Sequence, residues 1–230
     1  MNVAVVVAGG RGVRFGRSGG KQLTPIAGRP MLAWTLDAFE AARRIDAVVV
    51  VFRPALLIEV ERRLRDWGVS KVAAVVAAGR ERQDSVAAGL AALPLEADVV
   101  AVHDGARPLV LAEDIDAAID ALPGWDGVVL GRPAVDTVKR VTDDASIVET
   151  LARRDLWQAE TPQVFEVATL RQAHQRAETD GYVGTDDAAL VERTGGRVLM
   201  LAASGPNFKV TVPQDVVLAA AALMSREGEG

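Results

Sequence analysis

Five short runs of β-branched and small apolar residues recur along this 230-residue chain: Val3–Val7, Ala47–Phe52, Val72–Val76, Val99–Val102 and Gly127–Leu130. Each is apolar without interruption rather than at every second position, the pattern of strands covered on both faces. Helical stripes lie between them. Met31, Leu32, Leu36 and Phe39 share one face, opened by Pro30 at a helix start. Leu57, Val60 and Leu64 follow Pro54 in the same way. Val86, Leu90 and Leu93 form a third stripe, and Ile115, Ala118, Ile119 and Leu122 a fourth. Alternation at this pitch predicts an α/β fold, a Rossmann-like open and mostly parallel twisted sheet with helices on both faces.

The pattern changes after Arg132. Val135 to Arg140 and Ile147 to Thr150 read as two strands around the polar turn Thr142 to Ser146, a β-hairpin arm at about 133–155 that no helix encloses. Val167 to Ala177 and Asp186 to Thr194 read as helices, the second stopped by Gly195-Gly196. Arg197 to Ala202 reads as a strand, and Pro213 starts a last helix that frays from Ser225. Without an internal repeat, low-complexity segment or linker, residues 1–230 are expected to form a single domain with a projecting arm.

Half of the residues are hydrophobic, which supplies a core and excludes disorder as the main state. A chain of this length buries roughly 70–75% of its unfolded surface. Absence of cysteine excludes a disulfide scaffold and a thiolate metal site. With 26 basic and 31 acidic side chains, the net charge of −5 argues against duplex DNA as a partner. The opening Val3 to Ala8 lacks a basic leader, and no run approaches the ~18 apolar residues of a membrane span. A soluble, cytoplasmic protein with neither nucleic acid nor membrane as partner is the expectation.

The first strand runs straight into Ala8-Gly9-Gly10-Arg11-Gly12-Val13-Arg14-Phe15-Gly16 and on to Lys21. Ligands of open parallel sheets bind beyond the carboxyl ends of strands. Glycines there let backbone N–H groups approach phosphate oxygens, and Arg11, Arg14, Arg17 and Lys21 add positive charge to an acidic protein. The loop therefore reads as a polyphosphate site, with a glycine-rich surface turn as the plainer alternative. It is neither of two familiar phosphate loops. Phe15 stands where the dinucleotide fingerprint needs its third glycine and where the P-loop needs its first, and Gln22 replaces the P-loop Ser or Thr.

The loop pattern, followed by Lys21-Gln22, resembles the sugar-phosphate nucleotidylyltransferases. Later blocks narrow the resemblance: Gly79-Arg80-Glu81-Arg82-Gln83-Asp84-Ser85-Val86, His103-Asp104-Gly105-Ala106-Arg107-Pro108, Asp136-Thr137-Val138-Lys139, Leu156-Trp157, Thr161-Pro162-Gln163-Val164-Phe165, Thr185-Asp186-Asp187-Ala188 and Asn207-Phe208-Lys209-Val210-Thr211. In that order, over nearly the whole chain, they are similar to the 2-C-methyl-D-erythritol 4-phosphate cytidylyltransferase family of the non-mevalonate isoprenoid pathway. The chain departs from the family pattern at Val7 and Gly20, where proline is usual, at Gly9, where alanine is, and at Glu160, where glutamine is common.

The resemblance implies transfer of a cytidylyl group from CTP to a sugar-alcohol phosphate with release of pyrophosphate. It implies Arg14 and Lys21 as the groups that stabilise charge at the α-phosphate. Ala8, Gly9, Gly10, Gly12, Gly79, Arg82, Ser85, Asp104 and Ala106 would line the CTP site, with Asp104 holding Mg2+ or another divalent cation. Arg153 and Lys209 would hold the acceptor for attack, with Arg107, Asp136, Thr137, Thr161 and Thr185 around it. The resemblance also implies a homodimer whose arm reaches into the partner subunit. Plainer roles stand beside these: Ser85 and Thr185 as helix-capping residues, and Asp104 as the ion-pair partner of Arg107. His103 reads as structural. Relatives that load ribitol 5-phosphate share most of these blocks, and a non-catalytic nucleotide-sensing module is the alternative outside enzymes.

Overall fold

The structure is a computed structural model, and it describes residues 1–10, 15 and 20–228. β1 (Asn2–Val7) is followed by a small hairpin of β2 (Pro25–Ile26) and β3 (Arg29–Pro30) and by α1 (Met31–Ala41). Next come β4 (Ala47–Phe52), α2 (Leu57–Trp67), β5 (Val72–Ala77), α3 (Arg82–Ala91), β6 (Val99–Asp104), α4 (Ala112–Asp120) and β7 (Gly127–Pro133). The arm is β8 (Lys139–Val141) and β9 (Ile147–Thr150). β10 (Trp157–Glu166), α5 (Val167–Thr179), α6 (Asp187–Arg193), β11 (Val198–Ala202) and α7 (Pro213–Gly228) complete the chain.

Seven strands form one sheet in the order β11-β7-β10-β6-β1-β4-β5, and only β10 runs against the others. The uninterrupted apolar runs have the predicted cause. In β1, Ala4 and Val6 face one core layer and Val3 and Val5 the other; in β4, Val48, Val50 and Phe52 oppose Ala47, Val49 and Val51. Leu32, Leu36 and Phe39 of α1, Val60 and Leu64 of α2, and Ile115 of α4 fill the first layer. Val86 and Leu90 of α3, Leu170 and Ala173 of α5, and Leu190 of α6 fill the second. Each large apolar side chain buried this way contributes about 1.5–3 kcal/mol. A third cluster joins Ile26, Met31 and Leu109 to Ala219 and Leu223 of α7.

Some elements differ from the sequence reading. β5 is only half-buried, because it is the sheet edge. The first arm strand pairs only from Lys139, not from Val135. The last helix continues past Ser225 to Gly228. β10 is the element the sequence hides. Its Gln158, Glu160 and Gln163 break the apolar pattern, and Pro162 argues against a central strand. The pairing with β7 shifts register between Ala159 and Gln163, so the polar residues leave the regular ladder there.

Strand order reverses at β1: the chain builds β4 and β5 on one side, then returns to lay β6 on the other. This is the switch point at which such sheets bind ligands. It places Ala8-Gly9-Gly10 beside Asp104-Gly105-Ala106.

Candidate active site

The backbone at these strand ends is packed closely. Ala8 N–H donates to Val51 O at 2.7 Å and Gly105 N–H to Val7 O at 2.9 Å. A Cβ on Gly9 would lie 2.1 Å from the Ala78 methyl, so the glycine at this departure from the family pattern matches the methyl opposite it. Gly20, the departure before Lys21, has φ +82°, a backbone that proline's fixed negative φ cannot adopt.

Asp104 ends β6 and is the centre of a charge cluster. Its Oδ1 accepts from Arg82 Nε at 3.0 Å and its Oδ2 from Lys209 Nζ at 2.8 Å, while Arg107 Nε lies 3.7 Å from Oδ2. Burial alone would raise the carboxyl's pKa, but the charges of Arg82, Lys209 and Arg107 outweigh it and hold the group well below the usual carboxylate range. Asp104 is thus ionised at any working pH. Burial and Arg107 together push the adjacent His103 down to about pKa 3, against the pull of Asp104, so that imidazole is neutral. It touches the Phe39 ring edge-on and bonds Thr161 and the Arg107 carbonyl, a structural role as expected.

The segment 207–210 stitches the cluster together. Asn207 Nδ2 donates to Thr161 O at 2.7 Å, Arg107 Nη1 to Asn207 O at 2.7 Å, and Val210 N–H to Ala106 O at 2.8 Å. Lys21 is buried and its Nζ donates to Val210 O at 2.6 Å. Thr161 Oγ1 accepts the Asp104 N–H at 3.1 Å, which fixes the strand end. Residues more than a hundred positions apart thereby bring their cations together.

On the other side of the switch point, Glu81 and Asp84 form a reciprocal capping box at the start of α3. Ser85 is not the cap. Its hydroxyl accepts the Gly79 N–H at 3.2 Å and donates to Glu81 O at 3.0 Å, pinning the loop after β5. A Cβ on Gly79 would meet that of Asp84 at 2.2 Å. Thr185 is not a cap either: Asp186 caps α6 by accepting the Ala189 N–H, and Thr185 is exposed.

Arg82, Ser85, Gly79, Asp104, Ala106, Arg107, Thr161, Lys209, Lys21, Ala8, Gly9 and Gly10 therefore gather at the ends of β1, β5 and β6. Gly12 and Arg14 lie outside the described residues. Asp136, Thr137 and Arg153 are exposed on or beside the arm; Arg153 Nη1 donates to Val135 O at 2.7 Å. Among the described residues, no hydrogen bond or ion pair joins these three to the Asp104 cluster. Sequence reasoning assigned no role to Gln163, His174 or Asp187, which back the cluster from behind. The signal for Asp187 was an acid inside a matched block, read only as part of a helix start.

Three cations around one carboxylate, set at glycine-lined strand ends, form a site for a polyanion, and such a site suits group transfer at phosphorus by electrostatics. The fold and site are those of a nucleotidyltransferase. The family model "IspD: 2-C-methyl-D-erythritol 4-phosphate cytidylyltransferase" matches residues 2–225. The chain belongs to that family, and it is a cytidylyltransferase. A protein of that name from Pelotomaculum thermopropionicum is 42% identical over 98% of this chain and 95% of its own length. One from Halalkalibacterium halodurans is 40% identical over 97% of each. The crystal structure of the 4-diphosphocytidyl-2C-methyl-D-erythritol synthase from Anaerococcus prevotii superposes with TM-score 0.87 at 25% identity, covering 97% of this chain and 96% of that one. The cytidylyltransferase structure from Thermus thermophilus gives 0.76 at 32%, covering 96% and 98%.

Proposed function

We propose that the chain transfers the cytidylyl group of CTP to 2-C-methyl-D-erythritol 4-phosphate, giving 4-diphosphocytidyl-2-C-methyl-D-erythritol and pyrophosphate, in non-mevalonate isoprenoid precursor synthesis. The observation that carries this reading is Asp104 at the end of β6, held between Arg82, Lys209 and Arg107. An oxygen of the acceptor's phosphate bonds to the α-phosphorus as the bond from that phosphorus to the bridging oxygen of pyrophosphate breaks. The attacking monoester has a second pKa of about 6 and is mostly dianionic at neutral pH, so no general base is required. The protein's task is to bring two anions together and to stabilise charge at the α-phosphate.

Lys21, with Arg14 by the motif match, takes the α-phosphate charge. Gly79, Ser85 and Arg82 would form the nucleotide side, with the amides of Gly9 and Gly10 available to the phosphates, Gly12 added by the motif match alone, Ala8 holding the strand end through Val51 O, and Ala106 at the β6 end. Lys209 and Arg107, with Thr185, would receive the acceptor, while buried Thr161 acts from behind them by holding the Asp104 N–H. Asp104 fits a magnesium ion: it is an ionised carboxylate, and Mg2+ takes one or two carboxylates together with substrate phosphates. Among the described residues there is no group of three or more His, Cys, Asp or Glu that could hold a metal ion. Bound there, the ion would neutralise phosphate charge, and the half-exposed Lys209 is the cation free to leave Oδ2 for the acceptor.

The arm supports a homodimer with shared sites. Val135, Ile147 and Val148 are each more than half exposed, a run of apolar side chains that a second copy would cover. Asp136, Thr137 and Arg153 would then complete the partner's acceptor site. No described helix is long and apolar enough to cross a membrane, and the cytoplasm, where CTP is made, is the proposed location.

The test is pyrophosphate release with CTP, Mg2+ and 2-C-methyl-D-erythritol 4-phosphate, with ribitol 5-phosphate run in parallel. Faster turnover of the methylerythritol substrate is expected. Preference for ribitol phosphate would move the substrate, and CTP binding without release from either would leave a nucleotide sensor.

A further inference from the structure

Arg82 is gripped from two directions. Nε donates to Asp104 Oδ1 at 3.0 Å, and Nη1 donates to Asp187 Oδ2 at 2.7 Å. Asp187, the first residue of α6, is 1% exposed. Its other oxygen lies 3.1 Å from His174 Nε2, on α5. Gln163 of β10 fixes the helix start: its Oε1 accepts the N–H groups of Asp187 and Ala188 at 3.1 Å each, and its Nε2 donates to Asp186 Oδ2 at 2.8 Å. Burial opposes the Asp187 charge, but Arg82 and His174 hold its pKa low.

Such an arrangement is a poor way to gain stability, since buried ion pairs often do no better than apolar replacements. It is an effective way to fix a direction. Asp104 is already shared with Lys209 and Arg107, so without Asp187 three cations would contend for one carboxylate. The guanidinium would then turn toward solvent or follow whichever anion entered. With an acid at each end it has one orientation, and Nη2 has no hydrogen-bond partner of its own.

We infer that Asp187, backed by His174, is a positioning residue that aims the Arg82 guanidinium at the bound nucleotide. The inference rests on the reading that Arg82 and Asp104 face CTP.

The experiment compares R82A, D187N, H174Q and the double variant R82A/D187N, reading KM for CTP, kcat and Tm. Folded D187N is expected to raise KM for CTP about tenfold with kcat changed less than about threefold, and R82A/D187N to match R82A alone, because residues acting through one partner couple. H174Q leaves the ion pair in place but replaces the rigid ring that holds the far oxygen with a flexible amide, and a rise of about threefold in the same constant is expected. Should D187N fail to fold, H174Q carries the test by itself. A purely structural role would lower Tm and leave KM unchanged in the folded fraction, which overturns the inference. So does a KM effect of D187N that multiplies with that of R82A. If R82A itself leaves KM for CTP untouched, the underlying placement of Arg82 fails; if R82A is impaired while D187N and H174Q are silent, only the positioning role fails.

Discussion

Lys209 Nζ and Asp104 Oδ2, 105 positions apart in sequence, meet at 2.8 Å, and through that contact the loop before α7 closes over the end of β6. Arg82 and Arg107 approach the same carboxylate. Removing its charge turns a compensated cluster into three mutually repelling cations. Asp104→Asn is therefore expected to lose at least about a hundredfold in kcat. It is also expected to lose about 3–5 kcal/mol of stability, the usual cost of breaking a buried pair. Urea unfolding beside pyrophosphate release checks both, and unchanged turnover would remove Asp104 from the site.

Lys21 is buried, and its ammonium is bonded to Val210 O. A charge held at the α-phosphate stabilises the transition state more than either ground state. Lys21→Ala is expected to lower kcat about 10²–10³-fold while KM for the acceptor changes far less. Steady-state kinetics with each substrate varied separates the two constants, and wild-type turnover rejects the role.

The sheet was legible in the sequence because Val and Ala runs with no polar interruption are strands covered by helices, with β5 half-buried only because it is the edge. The acid at the end of β6 and the cations around it were legible as motif blocks. β10 was not, since a strand that lines a site carries Glu160, Thr161 and Gln163 and a proline where the pattern needs Val or Ile. Nor was Asp187's partnership with Arg82: the two residues are 105 positions apart, and nothing local marks an acid that pairs across the fold. The same limit applies to Ser85, whose hydroxyl pins Gly79 although its position looked suited to a helix cap.

Arg153 is exposed beside the arm, and its guanidinium donates to Val135 O. If its site lies in a second copy, Arg153→Ala raises KM for the acceptor by about tenfold or more, as loss of a charged phosphate contact does, with little change in KM for CTP. Mixing Arg153→Ala with Lys21→Ala protomers is then expected to restore part of the activity, because one of the two shared sites in each mixed dimer carries neither change. A mixture no more active than its components would place Arg153 and Lys21 in the same chain's site, and an effect confined to CTP would put Arg153 on the wrong substrate.

His103 gives the protein a predictable acid limit. It is fully buried, with Nδ1 3.0 Å from Thr161 Oγ1 and Nε2 3.3 Å from Arg107 O. Burial first, and Arg107 second, lower its pKa from 6.5 to about 3, with Asp104 pulling the other way. Between those values the unfolded chain binds a proton that the native protein refuses. Stability from this group is thus full above pH 6.5 and is lost as pH falls toward 3, with a slope of up to about 1.4 kcal/mol per pH unit. Asp104, its pKa also lowered, adds a loss in the same direction at more acid pH. Urea unfolding of the wild type and of His103→Gln at pH 7, 6 and 5, in chelator to keep metal out of the balance, isolates the imidazole. The variant is expected to be less stable at pH 7, since the amide fills the space beside Phe39 less well, yet to show a flatter decline on acidification. Parallel declines would mean that His103 keeps an ordinary affinity for its proton inside the fold.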